Sequence, residues 1–343
     1  MFFKNVVIES LAYSLPEEVC TSHAIEKQLL PLYQRLKLPE GRLELMTGIQ
    51  ERRLWPKGTK PSEAATMAAK KALSRSKVNP EDLGFLINAS VCRDRLEPAT
   101  AAYVHASLGL GQRMQVMDLS NACLGFLNAM YMMAGLIDGG AMKAGLIVSG
   151  EDARPLLEHT IVLLLNKNLD RHTIKPYFAN LTIGSGAVAV VLAHSSVAEG
   201  IPLCAGTGRA YTEAHHLCEG DHTGGGLLDM QTQSEALMEA GIGLAKASWT
   251  DFKDLLGWED ASPDTLVCHQ VGRQHLKGLY QALGLSLDKD VSSYTHLGNM
   301  GSASVPITLA MGLEQKRIRP ESRIGLLGIG SGLSSLFLSL GKV

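Results

Sequence analysis

The chain repeats its own plan at half its length of 343 residues. GFLINASV (84–91) corresponds to DTLVCHQV (264–271), and each is followed by a helical stretch that ends in Leu-Gly-Leu, at 108–110 and 283–285. MDLSNACLGF (117–126) stands opposite SYTHLGNMGSAS (293–304), and GLIVSG (145–150) opposite GLLGIG (325–330). The offsets all fall at roughly 175 to 180 residues, and four elements kept in order argue for a duplicated unit. Inside a unit, short β-rich runs alternate with longer helical ones. Strands are predicted over 6–12, 83–89, 115–119, 145–150 and 186–192, and helices over 62–76, 100–108 and 124–138. Such alternation predicts an α/β fold, a largely parallel sheet covered by helices. The halves are 1–195 and 196–343, with the join near 193–202.

Composition narrows the function. Apolar residues make up 45% and charged residues 19%, ordinary for a soluble protein with a large core. The net charge of −2 gives no general field for nucleic acid. The basic pairs Arg52–Arg53 and Lys70–Lys71 read as solvated faces or loops. No basic region precedes a signal-like apolar stretch, and no run of about twenty apolar residues occurs. The expectation is a cytoplasmic protein that is not integral to a membrane. Six cysteines lie far apart with no CxxC pair, so they are expected to be thiols.

The halves differ at equivalent places. The first has Cys123 between a strand and the apolar helix 124–138, with Ser120 and Asn121 suited to the turn. A thiol at a helix start faces unpaired N–H groups and the positive end of the dipole, and both favour the thiolate. The helix is apolar on nearly every face, which predicts that it is buried. The second half has His269 at the end of the strand 265–268 and Asn299 in a small-residue loop before the helix 305–314. Both side chains can donate hydrogen bonds, and a thioester enolate needs such donors. Ligand sites in open α/β sheets lie at the carboxyl ends of strands, where these three residues would meet.

TGIQERR (47–53), SNACLGF (120–126), LTIGSGAVAVVL (181–192), CHQVG (268–272), HLGNMGSASVP (296–306) and GIGSGLS (328–334) together resemble the thiolase superfamily, in the branch of 3-oxoacyl-(acyl carrier protein) synthase III. The resemblance implies a five-layered αβαβα sandwich, a homodimer and the triad Cys123, His269 and Asn299. SVCRDRLEPATAAYVHASLGL (90–110) looks like the OleA-type synthases, which join two fatty acyl-CoA molecules head to head. That likeness implies that Glu97 enters the partner subunit's site as a base. It also implies an oxyanion hole from the backbone N–H groups of Cys123 and Ser331, and substrate contacts from Arg52, Trp55 and Gly330. No metal or redox cofactor is implied, and the partners would be long-chain acyl-CoA and enzymes of a long-chain hydrocarbon or β-lactone route. Two places depart from the ordinary synthase: Gly272 replaces an asparagine, and the loop reads Gly-Asn-Met-Gly rather than Gly-Asn-Thr-Ser.

His215, His216, Cys218, Glu219, Asp221 and His222 crowd one segment, but their spacing fits no common zinc pattern, and a solvated loop is expected. The run Gly328, Gly330, Gly332 lacks the helix and acidic residue that a dinucleotide site needs. Glu97 has a plainer reading as a cap for the helix that begins near Ala99. Two rival functions stand beside head-to-head condensation: condensation of an acyl-CoA with malonyl-(acyl carrier protein), and a non-catalytic scaffold.

Overall fold

The computed structural model describes residues 1–166, 168–222 and 228–342. The first half runs β1 (Val6–Ser14), β2 (Glu18–Thr21), α1 (Ser22–Gln28), α2 (Leu30–Arg35), α3 (Arg42–Thr47), β3 (Glu51–Leu54), α4 (Pro61–Arg75), β4 (Leu83–Asn88), α5 (Thr100–Leu108), β5 (Gln115–Asp118), α6 (Gly125–Asp138), β6 (Ala144–Glu151), α7 (Arg154–Asn166) and β7 (Gly186–His194). The second runs β8 (Ile201–Ala210), β9 (Cys218–His222), β10 (Leu228–Thr232), α8 (Ser234–Leu256), β11 (Thr265–Cys268), α9 (Arg273–Leu283), α10 (Tyr294–Leu297), α11 (Ser304–Glu314), β12 (Arg323–Gly330) and β13 (Ser334–Gly341).

Nine strands hydrogen-bond in the order β11-β12-β13-β8-β1-β7-β6-β4-β5. The two halves meet where β1 pairs β8, with Val7 opposite Pro202 and Ile8 opposite Ile201. Outward from that seam each half repeats one order. The place of β5 is taken in the second half by a single bridge from Leu266 to Asp290. The sheet is mixed: β4 is parallel to β5 and β6, and β11 to β12, while β7 and β13 run antiparallel to their neighbours.

Side-chain alternation sorts the layers. In β7, Val188, Val190 and Leu192 face a core shared with α6, α11 and the second-half strands, which contribute Val267, Ile324, Leu326 and Leu338. Its other face presents Ala187, Ala189, Val191 and Ala193 to Ala64, Ala65, Ala68, Ala69 and Ala72 of α4. Small residues on both sides let that helix lie close. At Gly150 a Cβ would sit 2.1 Å from the Pro61 carbonyl oxygen, so only glycine fits there. On the far side of the second half, Trp249 and Phe252 of α8 and Tyr280 and Leu283 of α9 pack against Leu266, Leu327 and Phe337. The layers are therefore helix, sheet, helix pair, sheet, helix: the thiolase-like αβαβα arrangement.

Helix α6 is buried over most of its length, as expected, with Met132 50% and Leu136 38% exposed. One expectation needs correction. The segment from His215 is not a plain solvated loop. It forms a 3-10 turn, which buries Leu217, and then the antiparallel pair β9–β10, where Cys218 is half-buried and its sulfur meets Thr232 Oγ1 at 3.4 Å. His215 and His216 are exposed. Among the described residues no helix is long and apolar enough to cross a membrane.

Candidate active site

Cys123 sits in a tight turn between β5 and α6. Ala122 takes a positive φ of 44°, and the Leu124 N–H donates to the Asn121 carbonyl at 2.9 Å. The turn must be tight because α6 starts hard against β4: a Cβ on Gly125 would lie 2.7 Å from the Ala89 carbonyl oxygen. No side chain caps α6. The Asn121 amide donates instead to Asn128 Oδ1 at 2.8 Å, while its carbonyl closes the turn for which it was expected to be suited.

The glycine run at the end of β12 is a notch for this turn. A Cβ on Gly328 would lie 2.6 Å from Leu124 and from Leu127, and one on Gly330 would lie 3.2 Å from the Leu124 nitrogen. Gly330 thus acts by its missing side chain. It sets the Gly330 backbone against the thiol turn, at Leu124 and Asn121.

His269 leaves β11 beside the same notch, its N–H donating to the Leu327 carbonyl at 2.8 Å. Burial, with His275 nearby, pushes its imidazole down to about 4, so the ring is neutral at pH 7. Its Nδ1 is buried without a partner. A neutral ring still donates one N–H. Its neighbour Gln270, not singled out from sequence, is 2% exposed and accepts from the Ser293 and Tyr294 N–H groups at 2.8 and 2.7 Å. It staples the histidine strand to the segment that carries Asn299.

Asn299 is held by backbone bonds on both sides. Its N–H donates to the Thr182 carbonyl at 3.0 Å, and its carbonyl accepts from Gly184 at 2.9 Å. Its Oδ1 accepts from the Gly301 N–H at 3.0 Å, which fixes the amide flip and leaves Nδ2 as the donor. The loop approaches so closely that a Cβ on Gly184 would lie 2.0 Å from the Leu297 carbonyl oxygen. The two departures from the ordinary synthase have steric causes. A Cβ at Gly272 would lie 2.8 Å from the Thr47 carbonyl oxygen, and Gly301 has φ +55° against the Glu151 carboxylate.

The electrostatics reverse one expectation. Burial, then the Glu151 carboxylate and Cys218, push the half-buried Cys123 thiol up to about 12, with only its own backbone N–H pulling the other way. The resting group is a neutral thiol, because desolvation outweighs the helix start. Iodoacetamide alkylation of Cys123 should therefore be slow at pH 7 and still be rising at pH 10. A rate that levels off below pH 8, read by peptide mass against a Cys123→Ala control, would restore the thiolate.

Glu97 lies on an exposed loop outside this cluster. It does not cap α5, whose first N–H groups, of Thr100 and Ala101, donate to Asp118 at 2.8 Å each. The loop is tied down beside it: Asp94 accepts from the Ser62 N–H at 2.9 Å and from Ser62 Oγ at 2.6 Å.

Residues 117–205 match the family model of 3-oxoacyl-(acyl-carrier-protein) synthase III, and 254–339 that of its C-terminal part. The chain is 37% identical to an acyl-CoA:acyl-CoA alkyltransferase of Shewanella oneidensis, over 99% of each chain. A crystal structure of cerulenin-bound OleA from Xanthomonas campestris covers 100% of this chain and 98% of its own, with TM-score 0.95 and 36% identity. The chain belongs to the OleA-type branch of this family. A β-ketoacyl-(acyl-carrier-protein) synthase III of Bacillus cereus is more distant, at 26% identity over 96% of each chain.

In this OleA-type chain two residues expected to touch substrate are placed elsewhere. Arg52 is wholly buried, its guanidinium donating to the Leu181 carbonyl at 2.9 Å and to Ser22 Oγ at 3.1 Å. Burial lowers it to about 10. Its Cβ lies beside Gly184 and Gly298, so it is a strut behind the Asn299 loop rather than a surface cation. Trp55 is 4% exposed, and its indole N–H donates to the Glu151 carbonyl at 3.1 Å. Neither side chain is exposed in this conformation, and Arg52 Nε is buried without a partner. The candidate site is thus a thiol turn, a glycine notch, a neutral histidine at the end of β11 and an oriented amide in the loop before α11.

Proposed function

We propose that the chain joins two fatty acyl-CoA molecules by a non-decarboxylative Claisen condensation. Cys123 gives up its proton and attacks the first thioester, and CoA leaves as the thiol. The acyl carbonyl oxygen lies toward the Cys123 and Ser331 N–H groups. The second acyl-CoA presents its thioester oxygen to His269 and Asn299 Nδ2. Glu97 removes its α-proton, and the carbanion attacks the Cys123 thioester. The new carbon–carbon bond gives a β-ketoacyl-CoA and frees the thiol, and hydrolysis then gives a 2-alkyl-3-oxoalkanoic acid and CoA. Thiol, donors and carboxylate complete the chemistry, so the reading calls for no metal or redox cofactor.

One observation supports this reading: a thiol turn, a neutral histidine and an oriented amide stand on a chain 37% identical to an acyl-CoA:acyl-CoA alkyltransferase. Solved forms of Xanthomonas OleA include replacements of one glutamate and one cysteine that stand 26 positions apart, the spacing of Glu97 and Cys123 here.

We read the working unit as a homodimer in which each Glu97 serves the other subunit. Support comes from the exposed edge strand β5 and the adjoining Glu97 loop, where Met117 is 40%, Val91 41% and Leu96 84% exposed. The setting is read as cytoplasmic, with later enzymes of a hydrocarbon or β-lactone route taking the product.

His269→Ala and Asn299→Ala test the enolate role. Each should slow condensation about 10²- to 10³-fold while acyl transfer to Cys123 changes far less. Rapid-quench measurement of both half-reactions decides it. Equal losses in the two would move these donors to the first step.

A further inference from the structure

Glu151, at the end of β6, is 3% exposed and belongs to none of the groups assigned above. Its Oε1 accepts from Ser302 Oγ at 2.6 Å, from the Val91 N–H at 2.9 Å and from the Ser302 N–H at 3.2 Å. Its Oε2 accepts from the Cys92 N–H at 3.1 Å. No lysine or arginine pairs with it among the described residues. Peptide N–H groups and two serine hydroxyls hold this buried carboxyl group, since Ser149 Oγ also donates to Oε1, at 3.5 Å.

The donors come from two separate segments. Ser302 lies three residues after Asn299, in the second half of the chain. Val91 and Cys92 begin the loop that carries Glu97, in the first half. A third tie runs through the Glu151 backbone carbonyl to Trp55. Gly301 makes the approach possible, since a Cβ there would lie 3.1 Å from Oε1. The same carboxylate acts on the Cys123 thiol.

We propose that Glu151 is a positioning residue for the condensation step, one buried carboxylate that fixes the Asn299 loop and the root of the Glu97 loop relative to the thiol turn. This rests on the function proposed above. Both loops serve the condensation step, the Asn299 loop holding the enolate oxygen in its own subunit's site and the Glu97 loop supplying the base to the partner subunit's site. Loosening them should spare acyl transfer and hurt condensation. A glutamine cannot replace the carboxylate, because its NH₂ must face either Cys92 N–H or the Val91 and Ser302 donors.

Glu151→Gln and Ser302→Ala are the test, with hydrogen exchange by mass spectrometry and both half-reactions measured. In Glu151→Gln, the amides of 91–92 and 301–302 should exchange about tenfold faster or more. Condensation should fall about 10²-fold, with acyl transfer within about threefold of wild type. Ser302→Ala removes one bond and keeps the carboxylate, so it should shift the same ratio by a smaller factor. If Glu151→Gln does not fold, Ser302→Ala decides alone. Unchanged exchange in either segment, or equal loss of both half-reactions, overturns the proposal. A wild type that is acylated yet never condenses sinks the proposed function instead, and the exchange data then decide whether Glu151 holds both loops.

Discussion

Cys123→Ala is expected to abolish both acyl-enzyme formation and condensation. The sulfur sits in the turn packed against the glycine notch, and Cys218, whose charge acts on it, lies on β9 with its own sulfur against Thr232. Loss of a covalent nucleophile removes the whole two-step route, and residual rates fall by about 10⁶-fold in systems of this kind. Intact-protein mass after mixing with acyl-CoA reads the result directly. Acyl mass that stays on the Cys123→Ala protein at the wild-type level would assign the nucleophile to another residue.

Glu97→Gln should leave Cys123 acylation intact and lower condensation roughly 10²- to 10⁴-fold, the usual contribution of a positioned base. Glutamine keeps the shape and the exposed loop but cannot take a proton. A decarboxylating enzyme makes its carbanion by losing carbon dioxide and would not notice the change. Glu97 lies outside its own chain's cluster, so the base is expected to act across the dimer. Mixed dimers of Cys123→Ala and Glu97→Gln subunits should therefore regain activity, because one site then holds an intact thiol and a donated carboxylate. Silent mixed dimers, once shown to form, would place Glu97 in its own subunit's site.

The sequence made the repeat legible because buried strands carry apolar runs, and β4, β6, β7 and β12 each do. Helix ends were legible within a residue or two, as for α5, where Gly109 with φ +62° stops the helix. What the sequence concealed was contact. Arg52 looked like a cation for substrate because its carbonyl partners come from β2 and from Leu181, far away in the chain. Cys123 looked like a thiolate because the helix start is visible in sequence while the desolvation around it is not. Gln270 and Glu151 passed unnoticed for the same reason: a buried polar side chain is recognisable only once its donors have been brought to it. The β9–β10 pair was hidden by its polar composition, since the described residues that turn inward include Cys218, Asp229 and Thr232 and form no apolar run.

The central claim is that the carbanion arises from an acyl-CoA by proton removal, with no malonyl group. Wild-type protein given one pure long-chain acyl-CoA and nothing else, with products read by mass spectrometry, tests it most directly. The expected result is a β-keto product whose mass holds two copies of the acyl chain, and its rate should not depend on malonyl-(acyl carrier protein). A product that appears only when the malonyl donor is added, longer than the substrate by two carbons, would contradict the account.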